Sequence, residues 1–113
     1  MTKGELNRRI SVWRKPLIDD GTASVEGAPV EIGKRWAKMV DISDGERLRA
    51  EQHGQELATR FTVLSDSLTR TITGKDLLKC EGASYYVIGT KRLGARRRDA
   101  IEITCGSQPD VAQ

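Results

Sequence analysis

The sequence predicts a mainly β protein: a small antiparallel β-barrel or sandwich of about six strands, with one short helix and a long acidic loop. Three observations carry this prediction. Short apolar segments alternate with polar residues at a period of two and are separated by turn residues. A single capping signal, Ser43-Asp44-Gly45-Glu46, opens one helix. Residues 16–33 hold Pro16, Pro29 and glycines at 21, 27 and 33, and no period survives there. The chain has 113 residues, of which 25 are Leu, Ile, Val or Phe. That is enough for one thin core, so residues 1–113 are read as a single domain. Its ordered part spans about 5–105, with a mobile loop at 16–33 and a frayed tail at 106–113.

Leu6 to Arg14 reads as the first strand, with Leu6, Ile10 and Val12 toward a core and Trp13 on the opposite face. A Trp so placed is either a half-covered surface residue or a contact with another subunit. Pro16 ends the strand and the acidic loop follows. Trp36 to Ile42 resumes β structure, with Trp36, Val40 and Ile42 on one face and Ala37 and Met39 on the other. The helix is expected over about 44–53, with Glu46 reaching back to the Ser43 amide and Gly54 as its stop. Leu48, its one large aliphatic, packs in a narrow stripe or lies on a rim. Leu57 to Leu64 alternates, with Leu57, Phe61 and Val63 on one side, and Leu68 to Thr73 reads as a short β segment. Leu77 to Cys80 and Tyr85 to Ile88 flank Glu81-Gly82-Ala83-Ser84 as a hairpin. A basic loop over 89–98 leads to a last strand in which Ile101, Ile103 and Cys105 share a face. Closing these strands into a barrel removes exposed sheet edges.

Charge is unevenly spread. The formal net charge is only +3. Residues 16–33 nevertheless carry Asp19, Asp20, Glu26 and Glu31 and no base. Residues 91–98 carry Lys91, Arg92, Arg96, Arg97 and Arg98 and no acid. Such a basic run is a solvated hairpin tip or a contact for phosphate or an acidic protein surface. No apolar run approaches the ~18 residues of a membrane span, and the polar, charged stretch Met1 to Ile10 argues against a secretory signal. Cys80 and Cys105 fall in strand-like segments, outside any C-x-x-C pair, and read as small core residues. With one histidine, His53, no metal-ligand spacing arises. None of the nucleophile, phosphate-loop or dinucleotide motifs is present, so the reading is a non-enzymatic protein without cofactor or metal.

The order and spacing of these segments resemble the head–tail joining proteins of tailed bacteriophages, also called head closure or head–tail adaptor proteins. The matching residues are Leu6-Asn7-Arg8-Arg9-Ile10 and Trp36-Ala37-Lys38-Met39. Next come Gly45-Glu46 with Ala50, Glu51 and Gln52, and the strand Arg60-Phe61-Thr62-Val63. Asp76-Leu77-Leu78, Glu81-Gly82, Tyr86-Val87-Ile88-Gly89 and Ile101-Glu102-Ile103 complete the pattern. The resemblance implies a structural virion protein at the head–tail junction, made in the host cytoplasm. It implies a ring, a dodecamer on the portal, whose partners are its own copies, the portal or its adaptor, and a tail-completion or terminator protein. Genomic DNA passes through its lumen, and no membrane is involved. On this reading Asp19, Asp20, Glu26 and Glu31 belong to a channel-gating loop, and Trp13, Arg92, Arg96, Arg97 and Arg98 lie at protein interfaces. The alternative is a small basic β-barrel that binds nucleic acid through Lys91 to Arg98 and the pair Tyr85-Tyr86. By alternation, one of those two tyrosines points inward.

Overall fold

The computed structural model describes residues 6–19, 21, 24–54, 56–94 and 100–107. Six strands close into an antiparallel barrel: β1 (Arg8–Arg14), β4 (Val30–Val40), β5 (Thr59–Leu64), β8 (Ala100–Ser107), β7 (Ala83–Leu93) and β6 (Asp76–Cys80), with β6 pairing back to β1. Two further strands, β2 (Leu17–Asp19) and β3 (Ser24–Glu26), form a separate two-stranded ribbon. One helix, α1 (Asp44–Gln52), links β4 to β5.

Alternation decides which side chains fill the barrel. Ile10 and Val12 of β1, Phe61 and Val63 of β5, Leu78 and Cys80 of β6, and Ile101, Ile103 and Cys105 of β8 are all buried. The Phe61 and Tyr85 rings meet edge to face, 5.4 Å between centroids. Tyr85 is thus the inward member of its pair, and both cysteines are free and buried in the core. Burial pushes the Cys105 thiol up to about 12.

Two bulges shape the barrel. Ile32 is the extra residue where β4 passes Val12 and Trp13 of β1, and Ile88 is the extra residue where β7 passes β8. An extra residue bends its strand and sharpens the local twist, which helps six strands close. The β6–β7 hairpin turns on Glu81 and Gly82, both at positive φ (51° and 84°), the two-residue turn whose twist matches its strands. Ser43 caps the helix as expected, its hydroxyl accepting from the Glu46 amide at 3.2 Å.

Several local expectations are overturned. Residues 16–33 are not one loop: 17–26 hold the ribbon, closed at its base by Gly27 N–H donating to the Pro16 carbonyl (2.7 Å), and β4 already runs from Val30. Pairing with β1 extends β4 through residues that carry no apolar period of their own. Within β4 the two faces divide as expected, and it is the Ala37–Met39 face that turns inward: Ala37 is fully buried, Met39 packs against the core, and Trp36 is 52% exposed. A small residue fits where β4 faces Phe61 and Val63 inside a narrow barrel, and an indole does not. Ile42 is buried, but beyond the end of the strand. Residues 69–71 form a 3-10 turn, not a β segment, because the Asp66 carboxylate accepts from the Leu68 and Thr69 amides, both at 2.8 Å. The expected 89–98 loop is shorter, since Gly89 to Leu93 stay paired with Thr104 to Ala100. Gly106 and Ser107 belong to β8, and the rest of the expected frayed tail lies outside the described residues.

Candidate interaction surfaces

The outside of the barrel separates into three regions. The first is a set of neutralised ion pairs. Arg60 on β5 lies between Glu46 of α1 and Glu102 of β8. The Glu46 carboxylate takes this guanidinium as its main partner and the Ser43 hydroxyl as a lesser one, in place of the expected Ser43 amide. The hydrogen bond from Arg60 holds the Glu46 carboxyl below its ordinary range. Arg35 donates to Asp66 at 2.8 Å. Burial works to raise the Asp66 carboxyl, but the Thr69 and Leu68 amides and Arg35 prevail and hold it low. Arg8 at the start of β1 pairs at 2.6 Å with Glu81 in the β6–β7 turn.

The second region is the outer face of β6, β1 and β4. Register places Arg9 opposite Trp36, and the guanidinium lies over the indole 5.0 Å from its centroid. Ser11 is opposite Lys79, and Lys79 Nζ reaches diagonally over Trp13, 4.0 Å from its centroid. The Trp13 indole N–H donates to Ser11 Oγ at 2.9 Å. Arg9, Lys34 and Lys79 line one shallow groove with Ser11, Ser84 and the Arg8-paired Glu81, and Leu6, Trp36 and Leu64 line a largely apolar groove beside it that the Arg35–Asp66 pair borders. Lys34 stands 3.9 Å from Glu31. Among the described residues, Arg9 and Lys79 have no carboxylate partner.

The third region is the ribbon. It springs from the end of the β1–β4 pair where Arg14 meets Val30, and its strands pair only with each other. Leu17 at its base is 74% exposed. An open pocket of about 770 Å³ at this end is lined by Arg14, Lys15, Leu17, Lys75, Leu77 and Tyr86, among others.

The expected site residues scatter over these regions. Trp13 is half-buried within the cationic face. Asp19 and Glu26 belong to the ribbon strands, and Glu31 to the start of β4. Arg92 is exposed near the end of β7, opposite β4 in the closed barrel order and separated from β1 by β6. Asp20, Arg96, Arg97 and Arg98 lie outside the described residues. Tyr85 and Tyr86 do not form a paired stacking platform, because Tyr85 packs on Phe61 and the Tyr86 ring lies over Gly106. Trp36 and Arg9 were not anticipated as partners. Their pairing depends on the β1–β4 register, which two strands separated by 15 residues do not declare locally.

His53 is exposed as the C-cap of α1. No group of three or more His, Cys, Asp or Glu able to hold a metal occurs among the described residues, and no described helix is long and apolar enough to cross a membrane.

Comparison with solved structures finds the same fold in the solution structure of protein SF1141 from Shigella flexneri 2a. The TM-score is 0.64 at 22% identity, covering 97% of this chain and 99% of that one. No curated protein matches by sequence. The model of one protein family, described as phage head completion protein, matches residues 1–108.

Proposed function

The chain belongs to the phage head completion protein family, a structural role in closing the phage head, and from that premise we propose that it joins the DNA-filled head to the tail. Copies assemble as a ring beneath the portal, and the ring closes the DNA channel. The observation that carries this reading is the acidic ribbon. It leaves the barrel at one end, pairs only with itself, and belongs to a segment, 16–33, with four acids and no base. Repeated around a ring, such segments make a belt of negative charge. A negative belt repels phosphates, so it blocks without gripping and lets DNA slide when displaced. The opposite charge pole, Lys91 and Arg92 with Arg96 to Arg98, suits an acidic portal or tail surface.

Heads from a phage lacking only this protein provide the test. The expected result by electron microscopy is heads lying apart from complete tails, with DNA leaking from them. Normal joined particles overturn the joining role. Removal of residues 18–25 then tests closure: heads still receive the protein but lose DNA. Full DNA retention in that variant overturns the gating part alone.

A further inference from the structure

The cationic face of β6, β1 and β4 differs from the rest of the barrel surface. Arg8, Arg14, Arg35 and Arg60 each hold a carboxylate, and exposed cations such as Arg70, Lys91 and Arg92 hold neither a described carboxylate nor a ring. Here Arg9 and Lys79 lie on indole faces and, among the described residues, have no carboxylate partner. A cation parked on a ring keeps its side chain ordered and its charge available, which lowers the entropy cost of meeting an anion. Beside these cations, Leu6, Trp36 and Leu64 leave a largely apolar groove open, bordered by the paired Arg35 and Asp66. The face therefore calls for an occupant with carboxylates and an aliphatic anchor. Nucleic acid offers anions but no aliphatic side chain to enter that groove.

The chain contains a segment of that chemistry. The ribbon segment carries Asp19, Asp20 and Glu26 with Leu17, Ile18 and Val25, and Leu17 stands exposed. The apolar groove lies far from the ribbon's own base. The ribbon springs from the Arg14–Val30 end of the β1–β4 pair, whereas Trp36 sits six residues along β4, about 20 Å away at the usual strand rise. We propose that this face receives the acidic ribbon of a second copy, the carboxylates meeting Arg9, Lys34 and Lys79 and an aliphatic side chain entering the Leu6–Trp36–Leu64 groove. The contact is heterologous, donor on one copy and acceptor on the next, so it propagates around a ring. A ribbon seated on its neighbour lines the channel wall. The inference rests on the proposed assembly of copies and adds which surfaces meet.

Carbodiimide cross-linking, which joins a carboxylate to a lysine amine, tests it on the full chain. Isotopically heavy and light copies are mixed, both as concentrated free protein and in assembled heads. Mass spectrometry is expected to find heavy–light peptides joining Lys79 or Lys34 to Asp19, Asp20 or Glu26. Lys79→Glu weakens the Lys34 links several-fold, and Lys79→Arg preserves them. Heavy–light links through other lysines alone overturn the assigned surfaces but keep the assembly. No heavy–light link in either preparation overturns both. Both tryptophans of the chain are on this face and residues 16–33 contain no aromatic, so Trp emission gives a second readout with a synthetic 16–33 peptide. A saturable, salt-sensitive change supports the docking. A single-stranded DNA that alters the same emission and displaces the peptide overturns it in favour of nucleic acid.

Discussion

Arg14 closes on Asp76 with two parallel donors, Nε to Oδ1 at 2.8 Å and Nη2 to Oδ2 at 2.9 Å, and Asp76 is only 1% exposed. The same guanidinium donates to the Thr71 carbonyl (3.2 Å) and hydroxyl (3.0 Å), while Asp76 also accepts from the Thr73 amide at 3.1 Å. Strand β1 is thereby tied to the 3-10 turn and to the start of β6, next to the base of the ribbon. A buried carboxylate that loses its cation keeps its desolvation cost without its compensation. Arg14→Met is therefore expected to cost about 3 kcal/mol, read as a lower urea midpoint at unchanged slope. The double variant Arg14→Met with Asp76→Leu should recover part of that loss, since the stranded charge is gone. Equal losses in both variants would remove the pair from the account.

Acid should loosen the chain in a defined window. The Glu46 and Asp66 carboxyls both titrate lower in the fold than their ordinary values of 4.5 and 3.8. A depressed carboxylate stabilises the fold above its unfolded value and loses that contribution as pH falls through its folded one. Stability is thus expected to decline from about pH 4.5 downward. Asp66→Asn should flatten part of that decline and lower stability at neutral pH, because its amide can neither accept like a carboxylate nor pair with Arg35. Urea midpoints measured across pH for both proteins check this. A profile for Asp66→Asn parallel to the parent's would remove Asp66 as a contributor.

The thin core concentrates its energy in few side chains. Phe61 is the one phenylalanine, is fully buried, and carries the edge-to-face contact with Tyr85. Phe61→Ala is expected to cost about 4 kcal/mol, a large share of what a chain this size holds in reserve. Phe61→Leu should cost much less. Thermal unfolding by circular dichroism separates the two, and similar melting for parent and Phe61→Ala would contradict the assignment of the core.

The barrel was legible in the sequence where alternation was strong and both partners lay close. Ile101, Ile103 and Cys105 face inward as their spacing requires, and Ser43 caps the helix it announces. The ribbon was not legible, because strands of three residues carry too little pattern to compete with the prolines and glycines around them. Which face of β4 turns inward was not legible for a different reason. Size, not hydrophobicity, decides who enters a narrow barrel, and Ala37 wins that contest over an indole. The cationic face emerges only from register: Arg9 meets Trp36, and Lys79 meets Trp13, across strands far apart in the chain. Of the residues anticipated from charge, Glu31 meets a cation of its own chain, Lys34.

Gly106 provides a check on the β7–β8 end of the barrel. A Cβ built there would overlap the Tyr86 ring, which lies across the backbone and is 36% exposed. A ring fixed on both sides would make Gly106→Ala severe, in the range of about 1–3 kcal/mol for overpacking. Tyr86 is free on its outer side, so the ring swings away and the cost falls near the lower end, about 1 kcal/mol. Tyr86→Ser should then abolish the penalty of Gly106→Ala, a coupling that a double-mutant cycle reads directly. Additive losses in that cycle would show that the alanine is resisted by backbone conformation and not by the ring.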